Sequence, residues 1–555
     1  MKKNTGTFLT EALIISVSNL ISKVIGVVFK IPLGNMLQNN MEMFTAAYSV
    51  YAMLFMLSNA GLPVALSRAV AVAAAKGRKK EEGRVFWAGT LLFGSIGTVL
   101  MLAMLLGANA IADYSEHADA ALAIRLVAPC LPLVCVSSSL RGFFQGHRIM
   151  MPTAIYHFLE SFFKMAVGLG AAYYAVSHNY SAPVQAAFAI LGITAGSLAG
   201  LIYLIITKYL YEKKHREILS LECDDYPTVY KNLLKVALPV AATSTALYLS
   251  NFLDTLVIKK GLIASGVTEE ISGRLYTAYT TLALSVSDLL PATFVYPIAI
   301  SILPAITQSF TVGDVKKARE YMNHSIRISA IIGMPCAFLM FAVARPVLVF
   351  LYGSAWGGSS FVWNGTEFWA VDIAANGLRI LSLGIIGISL LSTTNSLLPA
   401  IKKSHLTTVS VFTGVAALAV TEIVLIRVPS VGIYGAPVAS VVCYTVALSL
   451  NLFFLKRLGY IERSFTGMFA KPLIAALLCG AAAVGTVYGA SLIINAERRL
   501  GAFAVMCAGG VVGVIVYIVA LLALKGITAE EICLLPKGRK LCDFMLKKGW
   551  ITENQ

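Results

Sequence analysis

Stretches of about 20 apolar residues, each long enough to cross a bilayer, alternate with short polar breaks along nearly the whole chain. Marking the apolar windows predicts fourteen membrane-spanning helices, at 11–36, 44–66, 85–107, 121–144, 153–176, 185–207, 233–258, 276–304, 326–350, 372–396, 405–428, 433–455, 470–493 and 499–524. The first follows Lys2 and Lys3 as a signal peptide would. Its run is long, however, carries Lys23, and lacks a small-x-small cleavage site, so it reads as a retained helix. The expected fold class is an all-α polytopic membrane protein with 14 transmembrane helices.

Charge orients these helices. Of the 44 Lys and Arg, 30 fall in loops on one side, seven on the other and seven inside the apolar segments. Lys and Arg concentrate on the cytoplasmic side, so both termini are expected to be cytoplasmic. A miscount by one span would invert half the loops and erase the asymmetry. The net charge of +16 is thereby explained by topology, and no nucleic-acid partner is needed. Composition agrees: 58% of residues are hydrophobic, 13% are charged, and the mean hydropathy is +0.78. The nine cysteines are scattered, without CxxC spacing or neighbouring His, and point to core packing rather than a metal. The aromatic-rich loop 352–372, with Trp356, Trp363 and Trp369, reads as an interfacial belt.

An internal repeat divides the chain. Pro63-Val-Ala65-Leu-Ser67 returns as Pro297-Ile-Ala299-Ile-Ser301 at an offset of 234, and Ser18-Asn19 returns as Ser250-Asn251 at 232. Six spans separate the copies, so both keep one orientation, as in a parallel repeat with its site between two lobes. The expected domains are an N-lobe (1–208), a cytoplasmic linker (209–232), a C-lobe (233–455), two extra helices (470–524) and a cytoplasmic amphipathic tail (525–555).

Seven cations inside apolar segments are the main chemical signal: Lys23, Lys30, Arg68, Arg125, Arg141, Lys164 and Arg379. A charge within the bilayer is costly and faces a cavity or a partner, so this set predicts a positive chamber for an anionic substrate. Lys23 and Lys30 are seven residues apart and share a helix face, and Arg68 closes the second span. With Arg379 they are the candidate substrate-binding residues, suited to phosphate because Arg binds bidentately and Lys acts as a point charge. Arg141, Gly142 and Gly146 in LRGFFQGHRIMMPT are expected to build a tight cytoplasmic turn. Glu160 and Lys164 have the spacing of an intrahelical ion pair. Asp254 and Glu422 lack a cation beside them in sequence and are the candidate coupling sites for Na+ or H+. No other cofactor and no catalytic residue is indicated.

GLPVALSR (61–68), RGFFQG followed by PTA and Glu160, GIYGAPVAS (432–440) and ITAEEICLLPKGRKL (527–541) together resemble the polysaccharide-biosynthesis branch of the MOP exporter superfamily. The likeness is to stage V sporulation protein B-like proteins and MurJ-type lipid II flippases. It implies two pseudo-symmetric six-helix lobes in a V around a cationic cavity, with spans 13 and 14 forming a groove for a polyprenyl tail. It also implies that Lys23, in Ser22-Lys23, stands where MurJ-type proteins carry a functional Ser-Arg pair, with Arg68 at the end of their second span. Asp254 stands near the Asp of a sodium site in some relatives.

The expected function is an alternating-access flippase for an undecaprenyl-pyrophosphate-linked sugar, a peptidoglycan precursor or polysaccharide unit, moved from inner to outer leaflet. Cell-wall synthesis proteins are candidate partners. The alternative is a drug or cation antiporter of the same superfamily, which would need negative charge where the first lobe offers positive. A membrane glycosyltransferase, polymerase or ligase would need a larger outer domain than these loops provide.

Overall fold

A computed structural model of the chain describes residues 18, 21–22, 24–26 and 28–528, apart from 76–77, 148, 215–224, 296–305, 307–308, 311–313, 359, 364, 402 and 462–464. Lys23, the second copy of the repeat at 297–301 and the tail beyond 528 lie outside the described residues. Contacts divide the chain into two compact units, Met1–Ala264 and Ser265–Gln555.

The first unit contains α1 (Met41–Ala75), α2 (Lys79–Tyr114), the short α3 (Ala121–Val127), α4 (Cys130–Gly146), α5 (Met151–Ser177), α6 (Ala182–Lys214) and α7 (Tyr226–Ala264). Pro152 opens α5, where its missing N–H leaves nothing unpaired. One apolar cluster gathers Leu33, Phe44, Ile124, Val134 and Ile190, and a second gathers Leu66, Phe93, Phe144, Tyr156 and Leu233. α7, placed by the sequence at the head of the second lobe, packs along α1. Thr255 hydrogen-bonds Ser49 at 2.6 Å, Lys259 pairs with Glu42 at 2.8 Å, and a side chain at Gly61 would strike the Ala237 carbonyl. By these contacts α7 belongs with the first unit, which ends at Ala264.

The second unit begins with α8 (Glu269–Thr277), a π-helical turn at Ala278–Ala283, the one-turn α9 (Leu284–Ser287) and a second π-helical stretch, Pro291–Val295. There follow α10 (Val315–Tyr352), β1 (Phe361–Trp363), β2 (Thr366–Phe368), α11 (Ala370–Ala400), α12 (Ser404–Ile426), α13 (Gly435–Arg457), α14 (Phe465–Ile493) and α15 (Arg499–Ala523). Asp314 caps α10 by accepting from the Lys317 amide, and Gly353 (φ +89°) ends it. The apolar core runs through Ile326, Met334, Leu397, Leu455 and Leu521.

Among the described residues, ten helices are long and apolar enough to cross a membrane, or eleven if the halves of α7, inclined at 47°, count as one span. One of the ten, Val24–Ala74, is 51 residues long, more than twice what a single crossing requires. The outward faces are apolar: Leu106, Ile493 and Leu500 are 82–88% exposed. Such surfaces belong against lipid.

The 352–372 loop is not the expected belt. Phe361–Trp363 and Thr366–Phe368 pair antiparallel with Phe361 opposite Phe368, and Trp356 and Trp363 are buried. Only Trp369 is exposed. The Asn364-Gly365 dipeptide between the strands is the strongest short hairpin signal, and Gly365 takes φ +76°.

Candidate functional site

Four aromatic residues on α1, Phe44, Tyr48, Tyr51 and Phe55, are spaced i, i+4, i+7 and i+11, which puts them on one helical face. Their ring centroids follow one another at 6.0, 6.1 and 5.4 Å. Phe29 extends the wall, 6.1 Å from Phe44. Two cations stand over it. Lys30 lies 5.3 Å from the Tyr48 ring centre and Lys164 lies 6.0 Å from that of Phe29, both within cation–π reach.

α5 supplies the facing groups. His157, Glu160 and Lys164 sit at i, i+3 and i+7, and their position is set by α6. Gly192, Gly196 and Gly200 form a stripe at every fourth residue, which lets two helices approach closely in lipid. A Cβ at Gly192 would stand 2.5 Å from the Lys164 carbonyl, one at Gly196 would collide with the Glu160 carbonyl, and one at Gly200 would stand 2.6 Å from the Tyr156 ring. The backbone that carries Glu160 and Lys164 therefore rests directly on glycine.

Glu160 does not pair with Lys164 as the spacing predicts. Its carboxylate lies 3.6 Å from His157 Nδ1. Arg141, buried on α4, donates to Asn59 at 2.6 Å and to Ser138 at 2.8 Å, and meets His157 Nε2 at 3.4 Å. An arginine has only donors, so His157 Nε2 must present its lone pair and Nδ1 carries the proton toward Glu160. Arg141 thus links α1, α4 and α5 instead of closing a turn. Gly142 and Gly146 lie within α4, where side chains would strike Leu66 and Val70 of α1 at 2.8 Å.

These elements enclose a recess of about 80 Å³ bounded by Tyr48, Tyr51, Phe55, Glu160, Lys164 and Tyr248. That volume holds a few waters. Lys164 and Glu160 are its charged lining residues among those described; Lys30 adds a cation over the Tyr48 ring, and Arg141 another beyond His157.

The other sequence-derived residues lie elsewhere. Arg68 is exposed on α1, thirteen residues beyond Phe55, or about 20 Å along the helix. Asp254 is buried on α7. In the second unit Arg379 donates to Asn376 at 2.9 Å, and Asn376 donates to the Tyr434 hydroxyl at 3.2 Å. Glu422 is fully buried on α12. Among the described candidate substrate residues none lines the recess; Lys30 stands beside it, over the Tyr48 ring. The aromatic ladder, His157 and the glycine stripe were missed, although the four-residue repeat of the stripe was readable.

At the end of the first unit Glu42 also meets His117, at 3.5 Å from Nε2, while Nδ1 lies 2.6 Å from the Ser115 carbonyl. Burial, reinforced by the Lys259 charge, pushes the His117 pKa down to about 3.

Comparison with known proteins follows the same lines. The model of the family described as polysaccharide biosynthesis protein matches residues 8–310, and a second, MatE, matches 239–424. The chain is 24% identical over 498 residues to the lipid II flippase MurJ of Bacillus subtilis (strain 168), covering 86% of this chain and 87% of that one. Stage V sporulation protein B of the same organism is 23% identical over 538 residues, covering 96% and 98%. Among solved structures, a lipid II flippase MurJ in an inward closed conformation superposes with a TM-score of 0.66 at 12% identity, covering 93% of this chain and 99% of that one.

Proposed function

We infer the function from one premise: the chain belongs to the polysaccharide biosynthesis protein family of the MOP superfamily, alongside MurJ-like flippases. It is a multi-pass membrane protein of a transporter family. Beyond that, our reading is an alternating-access flippase that carries an anionic polyprenyl-pyrophosphate-linked glycan from the inner to the outer leaflet. The observation that carries this reading is the recess in the first unit. Lys164 in its wall and Lys30 over the Tyr48 ring suit a pyrophosphate, and its aromatic rings suit the apolar faces of sugars. At about 80 Å³ the recess is too small for such a headgroup, so binding requires it to widen.

We count fourteen crossings with both termini cytoplasmic. The 51-residue length of Val24–Ala74 supports two crossings there, and the charge asymmetry of the loops supports the orientation. Outward movement of a pyrophosphate takes negative charge toward the positive side of the membrane, a gain of about 2.3 kcal/mol per charge per 100 mV. The membrane potential is therefore a sufficient drive, with Na+ or H+ at Asp254 or Glu422 as an added coupling. Flipping in vesicles should then stop when a potassium ionophore collapses the potential and should only slow in Asp254→Asn or Glu422→Gln.

The direct test is complementation of a strain depleted of its lipid II flippase. Growth restored by the wild-type chain and lost with Lys30→Met plus Lys164→Met supports the reading. Growth with the double variant at normal protein levels sinks it. A second reading, a drug or cation antiporter, is favoured by the MatE match over 239–424. It predicts drug resistance in place of complementation.

A further inference from the structure

The second unit holds a separate recess, of about 190 Å³, where three loops meet at one end of the helices. Ser265–Thr268, between α7 and α8, forms one side. Val362 and Trp363 of β1 form another, and Pro429 and Gly432, between α12 and α13, close it. Among the described residues no charged side chain lines it.

Its walls are fixed by backbone and aromatic packing. Trp363 is held between Phe368, at 6.1 Å, and Tyr434, at 5.7 Å. Gly432 takes φ +49°, and a Cβ there would stand 2.5 Å from the Trp363 ring. Gly266, at φ +93°, turns the opposite loop. Val362 is 60% exposed, an apolar side chain left on the surface of the hairpin. Thr268 is the N-cap residue of α8, yet its hydroxyl does not cap that helix. A threonine at this position normally accepts from an amide of the first turn. Here the hydroxyl is left for another partner.

We propose that this recess binds a neutral sugar ring. A pyranose has one face of C–H groups, which suits Val362, Trp363 and Pro429. Its rim of hydroxyls suits Thr268 and the polar backbone of the glycine-containing loops. The uncharged lining makes phosphate or carboxylate a poor occupant, because either would be desolvated without a counter-charge. The volume falls below the usual range of about 300–1,000 Å³ for drug-sized ligands and fits one ring rather than a chain. The choice of a sugar rests on the transport reading above, whereas the shape and neutrality of the recess do not. The loops that form it fall on the side of the chain poor in Lys and Arg, which that reading puts outside the cell.

The test is a titration of the purified full chain in lipid nanodiscs with a soluble neutral disaccharide of N-acetylglucosamine, followed by saturation-transfer NMR. Saturable binding is expected. Val362→Arg, which plugs the recess from an exposed position, should abolish it. Thr268→Val, nearly isosteric, should weaken it about tenfold, the worth of one hydrogen bond. A uronic acid disaccharide should not bind. Absence of binding to the wild type, or equal binding in both variants, overturns the proposal. Flipping of a lipid-linked glycan is measured separately in the Val362→Arg protein. Slowed flipping identifies the occupant as the sugar of the transported lipid, and unchanged flipping identifies it as a free sugar. A chain that binds the disaccharide but flips no lipid sinks the transport reading and leaves this one standing.

Discussion

In the first unit the polar groups around the recess carry charge and gather about aromatic rings. In the interior of the second unit they are mostly hydroxyls and amides that satisfy one another. Ser329 meets Thr393 at 2.6 Å, Asn451 donates to Thr394 at 3.1 Å and to Asn395 at 2.8 Å, and Tyr279 meets Ser440 at 3.1 Å. Its ion pairs stand near the ends of helices, where Arg345 reaches Asp372 at 2.9 Å and Glu497 at 2.8 Å. Arg327, buried, donates to the Gly526 carbonyl at 2.9 Å. Neutral networks hold helices together at small cost in lipid, whereas a cluster of cations within a span is costly and persists where a function uses it. One construction, a bundle of apolar helices, thus carries charged groups at the recess of one unit and mostly neutral ones, with buried Glu422 as an exception, in the interior of the other.

Substitutions should separate the two. The largest effect is expected from Lys164→Met, which removes one charge-assisted contact to the substrate. Transport per folded molecule should fall about 10- to 100-fold with the melting temperature nearly unchanged. Asn451→Leu is the matching change in the second unit. It should lower stability by about 1–3 kcal/mol, because Thr394 and Asn395 lose their donor, while transport per folded molecule is retained. The reverse pattern, with Asn451→Leu silencing a stable protein and Lys164→Met harmless, would break the comparison.

Gly196→Val should have a mixed effect. Forcing α5 from α6 costs about 1–3 kcal/mol and displaces Glu160 and Lys164 together, so stability and transport fall in parallel. A fall in only one of them would separate helix packing from the positioning of the recess.

The smallest effect is at His117, which faces Glu42 and Lys259. The folded protein keeps this histidine neutral down to about pH 3, whereas the unfolded chain protonates it below pH 6.5. Its contribution to stability is therefore complete above pH 6.5 and is lost as pH falls from 6.5 toward 3. Thermal melting across that window should be less steeply pH-dependent in His117→Gln than in the wild type. An identical slope would show that the acid response comes from other groups.

The helical multi-pass character and the family were legible because hydropathy is a property of single segments; of the fourteen spans expected, ten or eleven stand as candidates among the described residues. Most of the recess was not legible, for reasons that differ by residue. Lys164, in its wall, and Lys30, beside it, were visible as charges in apolar runs. Glu160 offered two partners on its own helix, His157 at i−3 and Lys164 at i+4, and spacing alone favoured the lysine. The choice depends on Arg141, which arrives from another helix. Tyr48, Tyr51 and Phe55 were readable as a face but not as a wall, since an aromatic stripe packs a core equally well. Trp356 and Trp363 failed for a related reason: aromatic residues near a span end serve a lipid interface or a small hairpin core, and only the Asn364-Gly365 turn told them apart.

The measurement that tests the central claim most directly is sided flipping by the purified chain in proteoliposomes, with a fluorescent polyprenyl-pyrophosphate glycan and, in parallel, a lipophilic cation. The recess charge predicts potential-dependent movement of the anionic lipid, lost in the Lys30→Met, Lys164→Met double variant, and no movement of the cation. Transport of the cation with no flipping of the lipid would contradict the account.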